Sequence, residues 1–149
     1  MPAEIRPATL ADETAVLDLI EELFQPPSAR PPRYTRALGA LGIAWAVEQP
    51  RTDILLAVDG GELVGLASVY VDIESIRFGR RCWLQDLVTR SDRRSEGIGA
   101  ALIAASRDWA RDQGCTHLEL SSGAARTDAH RFYEREGMGR SYNFTLWVD

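Results

Sequence analysis

Two glycines two residues apart, at the point where an apolar run turns into a helical pattern, constrain this chain more than any other feature. Trp83 to Val88 form the apolar run, Arg90 to Glu96 are polar, and a helical pattern opens on Gly97 and Gly99. It continues through Ile98, Leu102, Ala105 and Trp109 at spacings of four, three and four. A strand that feeds a glycine-bearing turn and then a helix leaves the first helical N–H groups unpaired and aimed outward. Those donors and the positive end of the helix dipole make an anion site, for which phosphate is the usual occupant. Glycine at 97 and 99 removes the β-carbons that would keep a phosphate off the backbone. Arg93 and Arg94 lie just ahead, where a guanidinium can also reach the anion. The local expectation is a pyrophosphate cradle.

Two familiar phosphate loops do not fit. The Walker loop needs Gly-Lys followed by Ser or Thr, and no such pair follows these glycines. The dinucleotide fingerprint wants Gly or Ala where Leu102 stands, in a unit near the start of a βαβ fold. Dehydrogenase and NTPase chemistry are disfavoured accordingly.

Composition narrows the partners. At 149 residues, 45% hydrophobic and 26% charged, the chain suits one soluble domain over residues 1–149 with its own core. No apolar run approaches the ~20 residues a membrane helix needs, and no signal peptide is visible at Met1 to Arg6. Cys82 and Cys115 sit in strand-like runs and read as reduced core thiols, too few for a metal site. A cytoplasmic protein without metal is expected. A formal charge of −5 argues against nucleic acid as the main partner. Arg90, Arg93 and Arg94 against Asp92 leave a local surplus of two positive charges, which suits a small polyanion better than a polymer.

Along the chain, Glu4 to Ala8 reads as a first strand. A helix follows, capped by Thr9 or Asp12, with Ala15, Val16, Leu19, Ile20 and Leu23 as its apolar stripe. Residues 25–32 hold four prolines and form a loop, either a flap over the site or a stiff connector. Tyr34 to Glu48 is a second helix, weakened by Gly39 and Gly42. Ile54 to Val58, the turn Asp59-Gly60-Gly61 and Glu62 to Val71 read as a hairpin, and Cys82 to Thr89 as its next antiparallel neighbour. After the long helix come a strand at Thr116 to Leu120, a short helix at Asp128 to Glu136 and a last strand at Tyr142 to Val148. The pattern is a mixed, mostly antiparallel sheet flanked by helices, in the order β-α-α-β-β-β-α-β-α-β.

Arg94-x-x-Gly97-x-Gly99 at a strand–helix junction, followed by Phe132-Tyr-Glu-Arg-Glu-Gly137, resembles the acyl-CoA-binding motif and later helix of the GNAT N-acetyltransferases. The resemblance covers roughly residues 4–148 and is concentrated in 84–138. It implies an α/β fold whose two central strands splay apart past a bulge. The pantetheine arm of acetyl-CoA would pair with the backbone of Leu87, Val88 and Thr89, and one of those amides would face the thioester oxygen. Ser95, Glu96, Gly97, Ile98, Gly99 and Ala100 would wrap the diphosphate, with Arg94 leading in. Arg126 stands where family members often carry a cofactor-contacting Asn, and could hydrogen-bond the cofactor or pair with its phosphates.

The same resemblance makes Tyr133 the general acid toward the leaving thiolate. On its residues alone, Tyr133 shares a helical spacing with Ala129, Phe132 and Glu136 and could simply pack. The Glu some members use as base is replaced here by Ser121. Asp86 is the substitute, expected to share a strand face with Leu84 and Val88; its plain alternative is a structural partner for an Arg or an amide. Glu119 is expected to point to solvent or a flanking helix. His117 and His130 lack a neighbouring acid and read as packed or surface residues. Glu21, Glu22, Tyr34, Trp45, Asp72 and Glu74 are candidates around an amine acceptor.

The expected reaction is acetyl transfer from acetyl-CoA to a primary amine of a small molecule or peptide, by direct attack in a ternary complex. A non-catalytic acyl-CoA-binding module is the alternative from a different class. Similar proteins also imply a homodimer through terminal strands.

Overall fold

The described residues of the computed structural model run from 3 to 148. One sheet in the order β1-β2-β3-β4-β5 carries helices on both faces. The strands are β1 (Glu4–Pro7), β2 (Thr52–Asp59), β3 (Glu62–Ser75), β4 (Gly79–Thr89) and β5 (His117–Glu119), and the helices α1 (Glu13–Glu21), α2 (Arg36–Glu48), α3 (Ile98–Asp112) and α4 (Thr127–Arg135). Neighbouring strands are antiparallel except β4 and β5, which run parallel. The β2–β3 turn places both Gly60 and Gly61 at positive φ (58° and 82°), the geometry a tight hairpin demands and other residues resist.

Strand alternation sorts the apolar residues into two cores. Leu55, Ala57, Ala67, Val69, Cys82 and Leu84 meet Ile98, Leu102, Ile103 and Ala110 of α3. Ile54, Leu56, Leu66 and Val88 meet Val16, Leu17 and Leu19 of α1 and Ile43 and Ala46 of α2. The α1 stripe thus runs through Leu17, while Ala15 is exposed. Gly65 of β3 lets α3 sit close on the sheet. A β-carbon there would lie 2.8 Å from Ile98 Cγ2 and 3.0 Å from Leu102 Cδ1.

The expected last strand does not form. Among the described residues, Tyr142 to Val148 pair with no strand, and Tyr142, Phe144, Leu146, Trp147 and Val148 are each more than 80% exposed. Alternation sets which way side chains point, but pairing with another strand is a non-local matter that it does not settle. No described helix is long and apolar enough to cross a membrane.

Candidate active site

The site begins with a fault in the β3–β4 ladder. Ser68 pairs with Asp86 and Val69 with Leu84, so Gln85 is the extra residue of a β-bulge. The bulge reverses the parity of β4. Leu84 belongs to the core under α3, whereas Val88 belongs to the core under α1 and α2. Asp86 therefore shares a face with Val88 but not with Leu84, contrary to the regular-strand expectation.

On its other side, β4 pairs with β5 only from Arg81–His117 to Trp83–Glu119. Beyond Trp83 the two strands part, and the edge of residues 84–89 facing β5 has no strand partner among the described residues. Past that open edge the chain makes a single 3₁₀ turn at Ser91–Arg93 and enters α3. Ser95 (φ 65°) and Gly97 (φ 83°) are left-handed there, and Gly97 caps the helix. The first intrahelical bond runs from Ala101 N–H to Gly97 O at 3.0 Å. The amides of Ile98, Gly99 and Ala100 precede it and have no partner within the helix.

A cleft of about 1140 Å³ lies along this edge. It is lined by Leu87, Val88, Thr89, Arg94, Ser95, Gly97, Ile98, Gly99 and Ala100, by Arg126, Phe132 and Tyr133, and by Gln25 to Ser28 of the proline-rich loop. That loop forms one wall of the cleft. Glu96 does not line the cleft; it accepts from Arg93 Nε at 2.9 Å. Arg93 also donates to Asp59 at 2.6 Å, and Arg90 is held by Asp92 and Glu62. Of the three arginines before the helix, Arg94 is the one with no ion-pair or side-chain hydrogen-bond partner among the described residues, and it faces the cleft. An extended molecule carrying a diphosphate fits these groups: an open strand edge for its polar arm, unpaired helix N–H groups and a free guanidinium for its anion.

The two glycines divide their work. A β-carbon on Gly97 would meet open space, whereas one on Gly99 would lie 3.2 Å from Phe132 Cζ. Gly99 thus also admits the close approach of α4 to α3, while lining the cleft.

A second, smaller pocket of about 120 Å³ adjoins the cleft, and Leu23, Leu87, Arg126 and Tyr133 line both. Asp86 and Ser121 also line it. The Asp86 carboxylate accepts from Ser68 Oγ at 2.9 Å, and the Asp86 amide donates back to the same oxygen at 2.9 Å. Burial raises the Asp86 pKa above the ordinary carboxylate range, against the opposing effect of the Ser68 bond. Burial likewise raises the Tyr133 phenol, while Arg126 nearby pulls it down. Tyr70, stacked on Trp45 with ring centroids 6.0 Å apart, is raised by burial and by the charge of Asp86. Ser68, Tyr70 and Gln85 are absent from the sequence expectations. The antiparallel register brings Ser68 to Asp86, and the bulge at Gln85 sets which face they share.

Most of the acidic residues expected around an acceptor are engaged elsewhere. Glu21 accepts from Tyr34 Oη at 2.7 Å and pairs with Arg36; Asp72 pairs with Arg81, and Glu74 with Arg80. Glu22 does reach the cleft, but accepts from the Ser91 amide at 2.9 Å. His117 has an acid neighbour after all, with Nε2 3.2 Å from Glu119 Oε1. The i, i+2 spacing on a strand was the signal for that pair, which lies in the Arg81 network and away from the cleft. His130 contacts Gly123 O at 2.9 Å. Cys82 is buried and free, its thiol pushed up to about 12 by burial. Among the described residues no group of His, Cys, Asp or Glu is placed to hold a metal.

Comparison with known proteins places the chain in a family. The model of the acetyltransferase (GNAT) family matches residues 14–138. The aminoalkylphosphonate N-acetyltransferase of Salmonella typhimurium is 32% identical over 139 residues, which cover 93% of this chain and 86% of that protein. An uncharacterised N-acetyltransferase of Bacillus subtilis is 49% identical over 59 residues, only 40% of this chain and 42% of that protein. Among solved structures, an aminoglycoside N-acetyltransferase in complex with CoA has a TM-score of 0.85 at 14% identity, over 98% of this chain and 93% of that one. At that identity the likeness is one of fold.

Proposed function

As a chain that belongs to the acetyltransferase (GNAT) family, and so to the acetyl-CoA-dependent acyltransferases, this protein acts, we propose, as a single domain that acetylates a primary amine of a small molecule or peptide by direct attack in a ternary complex. The observation that carries the reading is the position of Tyr133 where the large cleft and the small pocket meet. A donor lying along the cleft and an amine entering from the pocket would converge there.

In this reading Arg94 and the amides at the start of α3 hold the diphosphate, and the backbone of Leu87 to Thr89 pairs with the pantetheine arm. One of those amides donates to the thioester oxygen as it gains charge. Asp86 takes the proton of the ammonium, so that the free amine can attack. The N–C bond forms and the C–S bond breaks. Tyr133 gives its proton to the departing thiolate and regains one from the nitrogen as the amide forms. Burial suits both groups, because it moves the Asp86 pKa toward neutral pH and keeps the phenol protonated.

The test is to incubate the protein with acetyl-CoA and a panel of primary amines and follow free thiol. Amine-dependent release is expected. Tight CoA binding with no release from any amine would leave a binding module in place of an enzyme. Association of two copies through the exposed Tyr142 to Val148 segment belongs to the same reading, and light scattering would reveal it.

A further inference from the structure

The small pocket carries two opposite charges that do not neutralise one another. Asp86 and Arg126 both line its 120 Å³. The Asp86 carboxylate is bonded to Ser68, and no ion pair joins it to Arg126. The half-buried Arg126 side chain has no hydrogen-bond or ion-pair partner among the described residues. Arg126 stands at the N-cap of α4, but its side chain makes no capping bond there. Unpaired charges that are partly withdrawn from water are costly unless something compensates them.

We propose that the acceptor is a small zwitterion: a primary amine that carries an acidic group a few bonds away. Its ammonium faces Asp86, and its anion faces Arg126. The inference rests on the acetyltransferase reading above and refines its acceptor. Arg126 is then the residue that determines specificity. A guanidinium recognises a carboxylate or a phosphonate through paired N–H donors, and a neutral amine leaves it with nothing to bind. A diamine would place a second cation against it. The size of the pocket fits the same class, since a bulky acceptor could present only its amine end there. Ser121 also lines the pocket.

The experiment compares kcat/KM for four amines of similar length: 2-aminoethylphosphonate, 3-aminopropionate, ethanolamine and 1,2-diaminoethane. At least one of the two acids should exceed ethanolamine by about tenfold or more, as one charge-assisted contact would supply, and diaminoethane should be poorest. The difference between the two acids identifies the preferred anion. Arg126→Gln should collapse the ratio of acid to neutral amine, Arg126→Lys should keep most of it, and Arg126→Glu should shift preference toward the diamine. Equal turnover of all four amines by the wild type would overturn the proposal while leaving the acetyltransferase intact. So would an unchanged ratio in Arg126→Gln accompanied by weakened CoA binding, which would assign Arg126 to the donor. Absence of thiol release with every amine would remove both the proposal and the reading beneath it.

Discussion

Ser68 and Asp86 are bonded to each other twice across the β3–β4 ladder. The serine hydroxyl donates to Oδ2 of the carboxylate and accepts the aspartate's own amide N–H, both at 2.9 Å. The pair sits beside the bulge at Gln85, where β4 changes face. One carboxylate oxygen is thereby held, and the other is left for chemistry.

Asp86→Asn should lower kcat/KM by roughly 10²–10⁴-fold if the carboxylate is the base. In the wild type, activity should rise with pH through a value above the ordinary carboxylate range, because burial favours the protonated form. Ser68→Ala removes a bond that favours the charged form, so the acidic limb should move to higher pH. A pH profile unmoved by Ser68→Ala would separate Asp86 from the base role.

The same residue should carry a stability cost. The folded pKa of Asp86 is raised, so the folded state binds its proton more tightly than the unfolded chain. Stability is therefore greatest below the unfolded value and declines as pH rises through the raised one. Asp86→Asn should accordingly lose less Tm on going from acid to neutral pH than the wild type. Thermal melts across that range would measure it, and parallel curves would contradict it.

Tyr133→Phe should reduce kcat by about 10²-fold or more, as loss of a general acid does, and leave the CoA dissociation constant nearly unchanged. The ring still packs and only the hydroxyl is lost. Calorimetry with CoA alongside steady-state kinetics separates the two effects, and an unaltered kcat would remove the acid role.

Gly97 and Gly99 should fail differently. Gly97→Ala forces a β-carbon into a left-handed position on the cleft wall, at a cost of about 1–2 kcal/mol, and should weaken CoA binding. Gly99→Val pushes on Phe132, the neighbour of Tyr133, and should lower both Tm and kcat. If Gly99→Val instead abolished CoA binding with no change in Tm, its β-carbon would be facing the phosphate and not α4.

Gly65→Ala tests how α3 is seated. Its new methyl would press on Ile98, on Leu102 and on Val88 O, the last 3.2 Å away. Overpacking of this kind costs about 1–3 kcal/mol, so a fall in Tm of several degrees is expected. Ile98 and the cradle it opens would shift with the helix, weakening CoA in parallel. A Tm equal to that of the wild type would show that α3 can move without penalty.

The residues alone located most of the elements and the glycine turn that opens α3. The Gly60-Gly61 hairpin, the apolar spacing of α3 and the glycine where α3 starts all depend on neighbours a few positions away, through backbone sterics and helix or strand period. The resemblance to the family added Tyr133 and the Leu87–Thr89 edge, and the cleft gathers both. The tertiary structure decided what those elements meet. The bulge at Gln85 moved Asp86 to the face of Val88 and gave it Ser68. Long-range ion pairs consumed Arg90 and Arg93 and left Arg94 to the cleft. The approach of Phe132 gave Gly99 a packing role as well, and Tyr142 to Val148 stayed unpaired despite their alternation. Period is a property of a segment, whereas register, pairing and burial belong to two segments at once. That is why the second group could not be read from one stretch of chain.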